Sequence, residues 1–395
     1  MTVWEINMKG IKIMHKIKQL PKKLLCFIKK ETVLSAALLL AIISSFFVPP
    51  DAAYIGYIDF RTLSLLLCLM LVMAGLQSTG LFRITAEKLL KRVHGQTGVI
   101  FILVMLCFFS SMLITNDVAL ITFVPFTFTV LSLMGEDAKR RLIIPVVVMQ
   151  TLAANLGSML TPAGNPQNLY LHGISGMGIG EFVMLMLPYT AVSFILLCIY
   201  IVLCPKSKDG GSSAQITGGA RLSEKKRTAV YLALFVLCLL SVARVLDYRL
   251  TLIIVIGAAA ASDNKILIKA DYALLLTFIG FFIFIGNMGR IPAFSGFIES
   301  AVKGRECVTG IAASQIISNV PAALLLSGFT DNLRALIVGV NLGGLGTLIA
   351  SMASLISFKY IGKEDKSLRG KYLLKFTIDN VIFLAVLIAT YYIIN

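Results

Sequence analysis

Apolar runs long enough to cross a bilayer recur from one end of the chain to the other, and they constrain the fold more than any other feature. They cover residues 33–48, 62–82, 99–134, 142–171, 182–204, 229–245, 250–261, 272–288, 308–329, 335–358 and 372–394. An α-helix of about 17 to 25 apolar residues spans roughly 30 Å of hydrocarbon. With 57% hydrophobic and only 14% charged residues over 395 positions, the chain has more apolar surface than a water-soluble core can enclose. The expectation is an all-α polytopic membrane protein.

The formal net charge of +16 raises nucleic-acid binding as an alternative, but the basic residues sit at the ends of apolar runs and form no interleaved reading face. The N-terminal arm and the segments 83–92, 139–141, 206–227, 265–269 and 359–375 hold 29 of the 36 Lys and Arg residues. Loops of that composition stay in the cytoplasm, which fixes an N-terminus inside and a multi-pass protein of the cytoplasmic (inner) membrane. The loop 173–181 carries no Lys or Arg and is expected outside. Segment 1–30, with eight lysines and no cleavage pattern after Phe47, reads as a basic arm on anionic membrane lipid and not as a removed signal.

The seven cysteines (Cys26, Cys68, Cys107, Cys198, Cys204, Cys238, Cys307) form no CxxC pair, and His15, His94 and His172 are isolated. The cysteines are expected as small buried hydrophobes, and the isolated histidines remove metal-site and Ser/His-type readings. A membrane-embedded enzyme would need a nucleophile and a base, yet no GxSxG or HExxH pattern occurs, so the chain reads as a non-enzyme. It has no nucleotide-binding motif; an ATPase partner would be a separate chain.

Two runs are not simple spans. Residues 99–134 are too many for one crossing and carry Thr115, Asn116 and Asp117 in the middle; residues 308–329 carry Ser318, Asn319 and Pro321. Both read as re-entrant hairpins that turn at a polar tip, a geometry tolerated only beside protein or an aqueous cavity. The two halves can be superposed. Asp59-Phe60 and the run to Gly75 match Asp271-Tyr272 and the run to Gly286; Thr115–Ala119 matches Ser318–Ala322; Asn155–Thr161 matches Asn341–Thr347. Each matched element crosses in the opposite direction, which defines two inverted-topology repeats. The expected organisation is a basic segment 1–30, a first transmembrane repeat 31–204 with its hairpin at about 99–134, a cytoplasmic linker 205–228, and a second repeat 229–395 with its hairpin at about 308–329.

Each repeat also holds a transmembrane helix interrupted by Gly or Pro: Asn155–Asn168 with Gly157, Pro162, Gly164 and Pro166, and Asn341–Ser354 with Gly343, Gly344 and Gly346. Hairpin tips facing broken helices place carbonyls, amides and free N–H groups in the membrane, where oxygens can hold a dehydrated cation and helix N-termini an anion. Buried amides far from either interface are costly unless used, which selects Asn116, Asn165, Asn319 and Asn341. Thr161 and Thr347 lie in the breaks. Asp117 is an ionisable group at a tip and the expected carrier of a coupling proton or neutraliser of a coupling Na+, with a hydrogen-bonded turn cap as its plainer role. Gly75, Gly286 and Ser110 are expected to serve helix packing, and Asp379 to mark a helix end at the interface.

In Ile114–Asp117, Asn155–Asn168, Ser314–Ala323 and Asn341–Ser354 the sequence resembles the ion-transporter superfamily of citrate/metal symporters, divalent-anion/sodium symporters, the arsenical-pump membrane subunit and sodium/proton antiporters, and most closely its citrate-transporter-like branch. The likeness runs from about Leu63 to the C-terminus. It implies paired cation sites around one substrate and a transport domain that moves as an elevator against a scaffold. It places Thr115, Asn116, Ser318 and Asn319 at the tips and Asn155, Gly157, Asn341 and Gly343 in the facing breaks. Asn-Asp in the first tip departs from the Ser-Asn-Thr of the carboxylate/sodium symporters and is similar to the arsenical-pump branch. The expected protein is a secondary active transporter, a homodimer, moving a small anion of the di- or tricarboxylate class with Na+ or H+ as coupling ion, with no cofactor and no metal apart from Na+ at the tips. Arsenite-type efflux and Na+/H+ antiport are the alternatives.

Overall fold

A computed structural model describes residues 31–93, 95–204 and 225–395. The basic arm 1–30, His94 and most of the linker 205–228 lie outside the described residues. Among those described, every regular element is helical. Six helices are long and apolar enough to cross a membrane: Phe60–Ser78, Asn116–Leu133, Glu136–Ser158, Ile179–Leu203, Tyr272–Gly289 and the C-terminal helix ending at Ile394. Phe46, Phe47, Leu203 and Ile393 leave most of their surface uncovered. Such faces are stable against lipid tails and not against water.

Residue contacts divide the chain into two compact units. The smaller is built from Thr32–Phe47, Ala53–Tyr57 and Tyr272–Gly289. Glycine at 280 lets Tyr272–Gly289 approach the backbone at Ala37, and Gly286 lies beneath the ring of Tyr57; both are close-packing roles. Asn287 Nδ2 donates to Ser44 Oγ at 3.0 Å and to Tyr54 Oη at 2.8 Å, and Arg290 pairs with Asp51 at 2.7 Å outside the helices.

The larger unit contains both polar-tipped segments and both interrupted helices. The run 62–82 does not continue as one helix: Phe60–Ser78 ends and Leu81–Leu90 begins at Gly80, whose φ of +76° favours glycine. Asp59 caps Phe60–Ser78, its Oδ1 accepting the Thr62 N–H at 3.0 Å. The run 99–134 divides into Gly95–Ser111 and Asn116–Leu133, and 308–329 into Glu306–Ile317 and Asn319–Ser327. Arm packs on arm in each pair. Glu136–Ser158 stops at Ser158 and resumes as Pro166–Ser175; Leu333–Leu342 stops and resumes as Met352–Glu364. Helix Pro292–Val302 was not anticipated from the sequence; it is short and largely exposed.

One expectation is corrected. Asp379 lies well inside the helix Arg369–Ile394 and is buried, held by Lys375 at 3.0 Å and by the Tyr200 hydroxyl. Lys375 lies one turn away on the same helix face, where it pairs with the carboxylate.

Candidate functional site

The first tip comprises residues 112–115, between Gly95–Ser111 and Asn116–Leu133. Thr115 is extended, with φ −62° and ψ 149°, and Asn116 begins the returning helix. The Asn116 backbone N–H donates to Gly164 O at 3.1 Å, and its Nδ2 donates to Asn155 Oδ1 at 3.1 Å. The Asn116 amide oxygen accepts the Asp117 N–H at 3.0 Å, which fixes the orientation of the amide. The Thr161 hydroxyl donates to Met112 O. Gly157 lies against Phe108 O and Ser111 Oγ so closely that a Cβ would overlap the carbonyl.

The second tip is the single residue Ser318, between Glu306–Ile317 and Asn319–Ser327. The Asn319 N–H donates to Ala350 O at 3.0 Å. The Thr347 hydroxyl donates to Gln315 O at 3.2 Å. Gly343 lies against Ser314, whose Oγ would be 2.6 Å from an added Cβ.

These contacts correspond one to one. A shift of 203 positions carries Ser111, Met112 and Asn116 to Ser314, Gln315 and Asn319; a shift of 186 carries Asn155, Gly157, Thr161 and Gly164 to Asn341, Gly343, Thr347 and Ala350. The same second shift pairs Asn165 with Ser351. Asn165 Nδ2 reaches across to Asn341 Oδ1 at 3.3 Å, and Ser351 Oγ reaches across to Asn155 Oδ1 at 3.0 Å. Helix packing is exchanged in the same way, Asn319–Ser327 on Pro166–Ser175 and Asn116–Leu133 on Met352–Glu364.

Every residue selected from the sequence therefore falls in a tip or a break or in the helical turn that adjoins one. Side-chain bonds join Asn116 to Asn155 and Asn165 to Asn341, while Thr161 and Thr347 lash the breaks to the hairpins. Residues that sequence matching did not select are Gln315, Ser351 and Asn168. Gln315 Nε2 bridges Gly343 O and Leu345 O, each at 2.9 Å, and its Oε1 takes the Thr347 N–H at 2.9 Å. Its counterpart is Met112, so no repeat signal marks it. Asn168 and Ser351 could have been found by carrying the 186-residue shift past Thr161 to the end of each break.

Four helices begin at this centre, at Asn116, Pro166, Asn319 and Met352. Asn165 caps one of them through the Asn168 N–H at 2.9 Å, with Pro166 at the first position. Helix N-termini carry partial positive charge, so the centre favours a negative or strongly hydrogen-bonding guest. Of the residues singled out at the tips and breaks, only Asp117 carries a formal charge.

The profile of the citrate transporter family matches residues 24–335. The chain belongs to that family, and it is a multi-pass membrane transporter. It is 31% identical over 324 residues to an inner membrane protein, YbiR, of Escherichia coli, covering 80% of this chain and 84% of that one. It is 32% identical over 335 residues to an uncharacterized transporter, MJ0456, of Methanocaldococcus jannaschii, covering 84% and 89%. A shorter stretch of 190 residues is 29% identical to the rice silicon efflux transporter LSI3, covering 46% and 37%.

Proposed function

We propose that this protein is a secondary active transporter that carries a small anion of the di- or tricarboxylate class across the cytoplasmic membrane, coupled to H+ or Na+ through Asp117. The observation that carries the proposal is the reciprocal exchange between the two breaks, in which the N-cap residue of each resuming helix bonds the asparagine ending the opposite one: Asn165 bonds Asn341 and Ser351 bonds Asn155. In this reading the two halves are inverted repeats with re-entrant hairpins, the N-terminus is cytoplasmic, and the protein works as a homodimer. The centre then lies near the bilayer midplane, where discontinuous helices offer N–H groups to an anion and carbonyls to a cation.

A second reading, efflux of an un-ionised oxyacid, is favoured by a specific observation. The tips and breaks offer amides, hydroxyls and one carboxylate but no Lys, Arg or His. The similarity to a silicon efflux transporter supports it.

Uptake of labelled anions into proteoliposomes under imposed Na+ or pH gradients tests both, comparing the native protein with Asp117→Asn. Carboxylate uptake driven by one gradient and uncoupled by the substitution is the expected outcome. Undiminished coupling in Asp117→Asn removes Asp117 from the coupling role. Transport of oxyacids alone replaces the first reading with the second.

A further inference from the structure

Three elements of the larger unit meet away from the tips and breaks, on the side that carries the loop 173–181 and is expected outside. They are the start of Phe60–Ser78, the end of Pro166–Ser175 and the turn 243–247 between Lys225–Val242 and Tyr248–Ser262. A surface cavity of about 520 Å³ opens among them, lined in part by Arg61, Gly173, Arg244, Val245, Asp247 and Tyr248. Both arginines meet at Gly173. Arg244 Nη2 donates to Gly173 O at 2.7 Å, and Arg61 Nη1 lies 3.9 Å from where a Cβ on Gly173 would stand. Arg61 Nη2 donates to Ser241 O at 3.1 Å, at the end of the helix that the turn leaves.

Backbone carbonyls thus hold one nitrogen of each guanidinium, and among the described residues neither arginine forms an ion pair. The carboxylates of the neighbourhood cap helices instead. Asp59 takes the Thr62 N–H at 3.0 Å, and Asp247, at the cavity rim, takes the Arg249 N–H at 2.7 Å. Arg244 also sits where a side chain is strained. The Val245 N–H bonds back to Leu240 O at 2.9 Å and closes the helix end, with Arg244 at φ +63°. Glycine ordinarily fills that left-handed position. Two like charges are therefore held close together, one of them against the preference of its own backbone, and both line an open cavity.

The chemistry of a partner follows from this arrangement. Guanidinium N–H forks match the oxygens of a phosphate, which accepts from two of them at once. The remaining wall is apolar. Val245 is 73% exposed, and Leu250 and Ile253, further along Tyr248–Ser262, are 48% and 70% exposed. In a membrane protein such a face meets acyl chains, and Tyr248, with the Arg249 guanidinium 5.6 Å from its ring centre, suits the interface above them. A free anion would use the arginines alone; a phospholipid uses both features.

We propose that this cavity binds the phosphate of an anionic membrane phospholipid between Arg61 and Arg244, with the acyl chains along Tyr248–Ser262. The site is separate from the tips and breaks. Gly173 lies near the end of the helix that resumes after the first break, so the bound phosphate joins that helix to the two arginine-bearing segments and offsets the repulsion between their charges.

The test uses full-length protein in detergent, stripped of lipid and then given phosphatidylglycerol, phosphatidylcholine or inorganic phosphate. Arg244→Gly removes one guanidinium while relaxing its backbone, and Arg61→Gln removes the other without touching the turn. Phosphatidylglycerol is expected to raise the melting temperature of the native protein and to stay bound in native mass spectra at least about tenfold more tightly than phosphatidylcholine. Each substitution should remove one retained phosphatidylglycerol and shrink the thermal shift, while lipid held by the other basic residues stays. Without lipid, Arg244→Gly is expected to melt about where the native protein does; if it fails to fold, Arg61→Gln gives the decision alone. Unchanged phosphatidylglycerol retention in the folded variants overturns the site. Equal retention of phosphatidylglycerol and phosphatidylcholine overturns the anionic headgroup. Stabilisation by inorganic phosphate of the native protein and of neither variant, with no effect of phosphatidylglycerol, keeps the phosphate site and overturns its assignment to lipid.

Discussion

The two sides of the centre are built to one plan and finished differently. On the second-repeat side Asn341 spends its whole amide on protein partners, Asn165, Asn168 and Ile337, and Val320 follows the tip asparagine. On the first-repeat side Asn155 keeps its Nδ2 unpaired, Ser354 faces no partner, and the charged Asp117 follows the tip asparagine. Backbone strain is distributed the other way. Ser318 sits at φ +75° and ψ 154°, a region that only glycine occupies at ease, whereas Thr115 is ordinarily extended. One side is thus locked by side chains around a strained turn; the other is relaxed in its backbone and open in its polar groups. Two sequences folded to one pattern can divide labour, with one side anchoring and the other receiving the guest.

The largest expected effects come from the two break asparagines. Asn341→Ala removes three hydrogen bonds and should destabilise by about 3 kcal/mol, read as thermal unfolding in detergent. Asn155→Ala removes the acceptor of Asn116 and Ser351 and should destabilise by about 2 kcal/mol while lowering transport at least about tenfold beyond what the folded fraction explains. Equal ratios of flux loss to stability loss at the two positions would erase the functional side of the comparison.

Glycine packing sharpens it next. Gly157→Ala drives a methyl to 2.0 Å from the Phe108 carbonyl oxygen, and Gly343→Ala brings one less deeply against Ser314 Oγ at 2.6 Å, Ser314 Cβ at 2.8 Å and Gly339 O at 2.9 Å. Costs of about 3 and about 2 kcal/mol respectively are expected. The tips give a smaller and oppositely signed pair. Ser318→Gly should stabilise by about 1 kcal/mol by relieving its backbone, and Thr115→Gly should destabilise by about 0.5–1 kcal/mol. A melting-temperature change of the same sign at both tips would show that the strain is not borne at Ser318.

The smallest effect lies in the other unit and serves as a control. The hydrogen bond from Arg290 holds the exposed Asp51 carboxylate below the usual carboxylate range. A lowered folded-state value contributes stability above the unfolded pKa of about 3.9 and loses it as pH falls through the folded value. Asp51→Asn should therefore lower the melting temperature slightly at neutral pH, with the difference shrinking as pH falls through the folded value and fading in high salt. Transport should be unaffected.

Much of this arrangement is legible in the chain. The apolar runs define a helical membrane protein, and the polar clusters inside 99–134 and 308–329 mark the places where helices stop, because Asn, Asp and Ser there cannot face lipid and compete with the helix for backbone partners. The matches Thr115–Ala119 with Ser318–Ala322 and Asn155–Thr161 with Asn341–Thr347 locate both tips and both breaks. The signal ends where the repeats diverge. Gln315 opposite Met112 and Ser354 opposite Asn168 carry no similarity, so their roles depend on geometry. Asp379 misleads for a related reason: near the start of the last apolar run it looks like a helix end, until the Tyr200 and Lys375 contacts show a buried, paired carboxylate.

The sequence by itself determines the membrane solvent, the helical class, the family and the positions of the interruptions, because hydropathy and helix breaking act over a few neighbouring residues. Only the tertiary structure decides which break residue reaches which asparagine. That choice depends on side-chain length across contacts separated by 173 to 196 positions in the chain. A serine in place of an asparagine is a minor change along the sequence; at 354 it leaves a buried hydroxyl unpaired, where its counterpart Asn168 accepts a hydrogen bond from Asn341.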